Sequence, residues 1–208
     1  MRLNMQNLFT ILIFVLASFT TAFSQNIDSL KKVLPSLHDS ARVDCLNELA
    51  INFVFRFEKD SAEYYSALAL EEAKNLNYIH GIAESFACKA FIKRRFDNDF
   101  IQTEALARNS LEWFNKTNNK EKIVNTYFEL GDVLFGQSKY DEAAEYLEKA
   151  YYLYKREGNE NKMFYSFSLL GQVYRESGDY DKAFSYFRQG LQMAQQANNE
   201  KWNNWTIY

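Results

Sequence analysis

From Ser40 onward, apolar residues recur three and four positions apart with polar residues between them, the period of a helix that buries one face. The pattern breaks at regular intervals and divides the chain into paired segments. First helices are expected at Ser40–Phe57, Tyr78–Phe96, Lys120–Phe135 and Glu160–Ser177. Second helices are expected at Asp60–Leu76, Asp99–Thr117, Lys139–Glu157 and Asp179–Ala197. Ile27 to Leu34 reads as a short leading helix within a capping segment, 25–39, and Pro35 ends it. The expected fold class is all-α.

The N-terminus follows a different pattern. Met1 to Asn7 is a short polar start carrying Arg2, and Leu8 to Phe19 is continuously apolar. Ala22-Phe23-Ser24 then sets small residues three before and one before a cut. That order is the signature of a secretory leader. Its apolar core of about 12 residues is short for a hydrocarbon layer of ~30 Å. Residues 1–24 are therefore expected to be a cleaved signal peptide, leaving Gln25 as the mature N-terminus of an exported, periplasmic or extracellular chain.

The paired segments repeat. Ile123 to Gly131 overlays Met163 to Gly171 at an offset of about 40 residues, and Lys139 to Ala143 falls on Asp179 to Ala183 in the same frame. Two fainter copies lie upstream, and the second needs one extra residue near Arg95 to Asp99 to stay in phase. Three positions in each copy are expected to be helix contacts. One ends in Ala50, Ala90, Gly131 and Gly171. The next reads Ala62, Thr103, Ala143 and Ala183, and the third Ala69, Ser110, Ala150 and Gly190. Two antiparallel helices approach closely only where no bulky side chain intervenes. Leu46, Phe86, Tyr127 and Phe167, with Phe100, Tyr140 and Tyr180, are the large residues expected to fill the holes between. Asn77, Asn118, Gly158 and Asn198 suit the left-handed closure of each second helix, and Asp60 with Glu63 reads as a capping box.

Leu130-Gly131, Leu134, Ala143, Leu147 and Ala150 resemble the tetratricopeptide repeat, as do Leu170-Gly171, Tyr174, Ala183, Phe187 and Gly190. Two departures stand out: Lys155 and Gln195 replace the motif's closing proline, and the period is lengthened. The resemblance implies a right-handed superhelical solenoid of about four repeats (43–77, 83–118, 124–158 and 164–198) with a partial fifth at 200–208. It also implies that first helices line an inner, concave face where a peptide or partner segment binds. Carried onto this chain, that face holds Phe91, Arg94, Arg95, Asn125, Phe128, Asp132, Tyr165, Ser168, Gln172 and Arg175, with Asn47, Ile51 and Glu84 beside them. The Lys/Asn/Lys/Arg clamp by which some members hold a terminal carboxylate is missing, because the corresponding positions read Asn47, Ile51, Cys88, Phe91, Asn125 and Glu129.

Composition narrows the function. Net charge is −3, and a leader carrying Arg2 takes one positive charge with it, so no basic stripe points to nucleic acid. Cys45 and Cys88 fall short of a disulfide framework and read as two buried thiols, and His38 and His80 lack ligand-like spacing, so no metal or cofactor is expected. Gly-rich phosphate loops, GxSxG and HExxH are absent, which disfavours an enzyme. The expected role is an extracytoplasmic protein- or peptide-binding module. The alternative is the sensory input region of a longer membrane-bound kinase or DNA-binding regulator. The apolar C-terminal residues Trp202, Trp205, Ile207 and Tyr208 favour a chain that continues over the alternative, a stub at 200–208 that itself caps the last repeat; they also fit self-association through that end. Membrane contact is expected only through the leader or through sequence further downstream.

Overall fold

The computed structural model describes residues 26–196, so the expected leader (1–24) and the tail with Trp202 and Trp205 lie outside the described residues. The chain divides into two compact units at Asp97 and Asn98. The first contains α1 (26–33), α2 (Asp39–Phe55), α3 (Lys59–Asn75) and α4 (Ile79–Ile92). The second contains α5 (Phe100–Phe114), α6 (Lys120–Gly136), α7 (Tyr140–Glu157), α8 (Glu160–Glu176) and α9 (Tyr180–Gln196). All described regular structure is helical, and consecutive helices within each unit pack against one another.

Helix contacts follow the small-residue positions. Ala50, Ala62 and Ala69 are buried in the first unit, as are Gly131, Ala143, Ala150, Gly171, Ala183 and Gly190 in the second. The spacing there is set by the absence of a side chain. A Cβ on Gly131 would fall 2.4 Å from Cγ of Leu147, and one on Gly171 would fall 2.6 Å from the Phe187 ring. Leu147 and Phe187 hold the same repeat position, so both hairpins close by pressing a large residue of the second helix onto a bare turn of the first. Around them Leu134, Tyr151, Phe164, Phe167, Leu170 and Val173 complete the second unit's core. In the first unit Leu49, Phe53, Val54 and Ile92 pack with Ile27 of α1, which covers the open side of α2. Pro35 sits in the 3₁₀ turn Leu34–Ser36 that ends α1.

The extra residue of the second copy is visible as geometry. α4 does not run to Phe96 as its periodicity predicts; it stops at Ile92 and widens into a single π-helical turn, Lys93–Asp97. A π turn absorbs one inserted residue without breaking the helix. Asp97 anchors it, accepting from Lys93 Nζ at 2.8 Å and also pairing with Lys59 at the start of α3.

Three local expectations are corrected. α3 is capped by Glu58 with no side-chain hydrogen bond, so Asp60 and Glu63 form no capping box; Asp60 lies inside the first turn. Asn118 does not close α5 in the left-handed region as Asn77 (φ 51°) and Gly158 (φ 68°) close α3 and α7. Instead α5 runs out through Asn115 and Thr117, and Asn119 caps the next helix by accepting from Lys122 N at 3.2 Å. Tyr180 is 70% exposed, although its equivalent Tyr140 packs on Phe135 at 6.1 Å. The residue in Phe135's place one repeat later is Arg175, which offers Tyr180 no ring.

In the second unit α5 is held to the α6–α7 turn through one carboxylate. Glu104, with a side chain 14% exposed, accepts from Arg108 Nε at 2.8 Å, Gln137 Nε2 at 2.8 Å and Lys139 Nζ at 2.9 Å. Burial pushes its pKa up, but the hydrogen bonds from Lys139, Arg108 and Gln137 outweigh it and draw the pKa down to about 2.

Gly131→Ala is expected to destabilise the protein by about 1–3 kcal/mol, read by urea denaturation, because Leu147 has nowhere to move. Ser138→Gly is expected to act oppositely, by about 0.5–1 kcal/mol. Ser138 holds φ 60° where the next repeat uses Gly178 at φ 86°, and glycine removes the left-handed cost. Glu104→Gln should cost about 2 kcal/mol near neutral pH. Because the folded pKa lies below the ordinary carboxylate value, the native advantage is complete above about pH 5 and is lost as pH falls toward 2. The denaturation midpoints of wild type and variant should therefore converge in acid.

Candidate functional site

Asn125, Phe128 and Glu129 on α6 face Lys162 and Tyr165 on α8 across a cleft of about 450 Å³, with Tyr154 of α7 as its floor. Helical spacing explains the grouping: positions three and four apart share a face, and the two first helices of consecutive repeats lie side by side. Phe128 is half-buried and packs on the core below, so it serves the core and the cleft at once. Tyr165 is 45% exposed at the rim, its ring meeting that of the buried Phe164 at 6.1 Å.

Polar groups fix the floor. Tyr154 Oη donates to Asn125 Oδ1 at 2.8 Å, and Lys162 Nζ donates to the same oxygen at 2.9 Å and to Glu121 Oε1 at 3.1 Å. Burial, followed by the negative charges of Glu129, Glu157 and Glu121, raises the Tyr154 hydroxyl far above its ordinary value, so it stays protonated and remains a donor. The Lys162 ammonium also lies 5.6 Å from the centre of the Tyr154 ring. With Asn125 Oδ1 engaged twice, its amide is locked in one orientation.

The remaining expected residues fall into three groups. Asp132 continues the α6 face one turn beyond Phe128, and Ser168, Gln172 and Arg175 continue the α8 face beyond Tyr165. Ser168 and Gln172 are half-buried, and Arg175 is exposed and paired with Glu176 at 2.7 Å. Phe91 belongs chiefly to the first unit's core, with its ring 5.9 Å from Phe55. Arg94 and Arg95 lie on the π turn, where the Arg95 guanidinium stacks 4.2 Å over the Phe57 ring. Sequence reasoning missed Tyr154 and Lys162. Tyr154 holds the repeat position of Ala73 and Phe114, both buried, so a tyrosine there signals a hydroxyl that needs a buried partner.

The first unit has a cleft at the equivalent place. Asp44, Asn47, Glu48 and Ile51 of α2 face His80, Glu84 and Cys88 of α4 across about 310 Å³. Tyr78 Oη donates to Asp44 Oδ2 at 3.3 Å, and His80 Nε2 lies 3.6 Å from Glu84. Both cysteines are buried free thiols; Cys88 Sγ donates to the Asn47 carbonyl at 3.8 Å, and Cys45 Sγ to that of Leu30 at 3.8 Å. Burial pushes the Cys45 thiol up. Among the described residues, no group of three or more His, Cys, Asp or Glu side chains is arranged to hold a metal ion. No described helix is long and apolar enough to cross a membrane.

Hairpins stacked through small residues, with clefts between successive first helices, define a helical-repeat protein of the binding-scaffold class. The family model for the tetratricopeptide repeat matches residues 82–156 and 122–196, more than half of the chain, and the chain belongs to that family. Comparison with curated proteins gave no matching sequence. Among solved structures, BtubC (BKLC) from P. vanneervenii is similar with a TM-score of 0.74 at 20% identity, over 88% of this chain and 75% of that one. A signal transduction ATPase with numerous domains and a tetratricopeptide repeat sensor, from Pyrococcus horikoshii, reaches 0.81 at 18% identity, over 93% of this chain and 30% of that one. A Rap protein complexed with Competence and Sporulation Factor reaches 0.71 at 16% identity, over 89% and 53%. These likenesses show the fold, and the chain spans about half or less of the latter two proteins.

Proposed function

We propose that this chain is an exported, non-catalytic module that binds an extended segment of a protein or peptide, and that the α6–α8 cleft is its apolar anchor point. The observation that carries this reading is the pairing of an exposed Tyr165 and a half-buried Phe128 over a floor already locked by Tyr154, Asn125 and Lys162. Rigid rings above a preorganised polar floor lose little entropy when an apolar side chain enters. The family and the neighbours support a binding role, and the Rap structure carries a bound factor by its own description. The leader pattern at 1–24 supports export.

A second reading places the chain at the input end of a longer signalling protein. What favours it is the Pyrococcus horikoshii neighbour, described as carrying a repeat sensor, of which this chain matches 30%. Both readings use the same cleft and differ only in what the occupied repeats act upon.

Selection from a displayed library of random heptapeptides should enrich sequences with a large apolar residue. Phe128→Ala/Tyr165→Ala should weaken capture at least about tenfold, or ~1.4 kcal/mol, measured well below a melting temperature that the Phe128 change itself lowers because its ring also packs on the core. Equal capture by wild type and variant would remove this cleft as the anchor. Export is checked separately: the chain secreted from a Gram-negative host should begin at Gln25 by intact mass, and retention of Met1 in the cytoplasm would reject it.

A further inference from the structure

Each turn from a first to a second helix passes through the left-handed region at the same repeat position: Phe57 (φ 61°), Asn98 (φ 51°), Ser138 (φ 60°) and Gly178 (φ 86°). Glycine and asparagine suit that place, and serine is at least small. Phenylalanine is the outlier, because a bulky side chain there crowds its own backbone. Burial does not repay the strain, since the Phe57 ring is 64% exposed. A strained residue that gives the core little marks a position the fold holds for another use.

The neighbours of that ring show what the use is. The Arg95 guanidinium lies 4.2 Å over the Phe57 ring, and Arg95 is exposed on the π turn, a kind of distortion often found at functional sites. Other cations at this end of the first unit already have carboxylates. Arg56 pairs with Glu58 at 2.9 Å, Lys93 with Asp97 at 2.8 Å and Glu63 at 3.4 Å, and Lys59 with Asp97. Among the described residues no carboxylate pairs with Arg95. Stacking uses the flat face of a guanidinium and leaves its in-plane N–H groups able to donate. Beside this pair, Phe55 is 51% exposed, with its ring 5.9 Å from half-buried Phe91, which stands four residues before Arg95.

We propose that Phe55, Phe57, Phe91 and Arg95 form a docking surface for a protein segment that carries a glutamate or aspartate side chain next to an aromatic one. Arg95 donates two parallel N–H bonds to the carboxylate, and the partner's ring packs on Phe55 and Phe91. Charge selects this occupant. Rings alone would accept any apolar segment, whereas a cation left without a carboxylate adds a demand for a negative group at one fixed point. Phe57 backs the guanidinium and holds its plane, which is why a phenylalanine is kept where glycine would be easier. The surface lies wholly within the first unit and shares no residue with the α6–α8 cleft.

The test uses the full chain and two fluorescein-labelled peptides, Ser-Gly-Phe-Glu-Phe-Gly-Ser-amide and the same peptide with glutamine in place of glutamate. By fluorescence polarisation the glutamate peptide should bind at least about fivefold more tightly. Arg95→Gln should bring the two within about twofold of each other with an unchanged circular dichroism spectrum. Arg95→Lys keeps the charge but has no planar fork, and its preference should fall below about threefold. Phe57→Gly relieves the backbone, so its melting temperature should equal or exceed that of wild type while the glutamate peptide binds at least about threefold more weakly. Equal binding of the two peptides by wild type overturns the proposal, and so does a full preference in Arg95→Lys, which would reduce the effect to charge alone. A lower melting temperature or unchanged binding in Phe57→Gly also overturns it, since the ring would then serve only the fold. Competition by the glutamine peptide with a free C-terminal carboxylate, as effective as by unlabelled glutamate peptide, would assign Arg95 to a chain terminus and reject the side-chain reading. Phe128→Ala/Tyr165→Ala should retain the glutamate preference; its loss there would move the contact to the α6–α8 cleft and remove this surface while leaving the proposed function standing.

Discussion

Close approach of antiparallel helices at residues without bulk is the constraint on which everything else in each unit rests. Leu147 and Phe187 reach the bare faces of Gly131 and Gly171, and the neighbouring alanines at 143 and 183 let the second helix lie flat against the first. With the spacing set there, the large residues on either side have one way to interlock, and packing reaches the density of a crystal. Removing the constraint at one hairpin also misplaces its neighbour, because each hairpin in a stack is braced by the next.

Such packing leaves one face of each first helix outside the core. Along α6 and α8 that face presents Asn125, Phe128, Tyr165, Ser168 and Gln172, and along α2 and α4 it presents Asp44, Asn47, Glu48 and Glu84. These positions are free to vary because the hairpin does not use them for closure. One scaffold thereby offers an aromatic cleft in one unit and an acidic cleft in the other without changing its backbone. The polar floor at Tyr154, Asn125 and Lys162 shows how a second helix contributes: its interior residue reaches through the hairpin and orients what the first helix displays.

The π turn at Lys93–Asp97 is where the second repeat departs in length from the others, and the departure has local supports. Asp97 ties the turn to α3 through Lys59, and Arg95 lies over Phe57, itself in a left-handed conformation at φ 61°. Lys93 and Arg95 are paired and stacked within the unit. Lys93 meets Asp97 and Glu63, and the first of these contacts, the hydrogen bond with Asp97, raises its pKa. The basic cluster is thus structural in large part.

Periodicity and the small-residue columns were enough, without coordinates, to establish the helices, their pairing, the family and the inserted residue, because helix contacts depend on residue size at fixed intervals. Half of the α6–α8 cleft was legible in the same way, since Asn125, Phe128 and Tyr165 share a helical face. What only the tertiary structure decided were relations between residues distant in the chain. Tyr154 joins the site from another helix, the Asn47 amide of α2 meets Ser85 of α4, and Arg95 lies over Phe57. Local caps were also decided there: Glu58 rather than Asp60 begins α3, because the turn preceding it, and not the capping side chain, sets where the helix starts. Size and spacing are properties of a linear string, whereas burial and hydrogen-bond partnership exist only once the hairpins have closed.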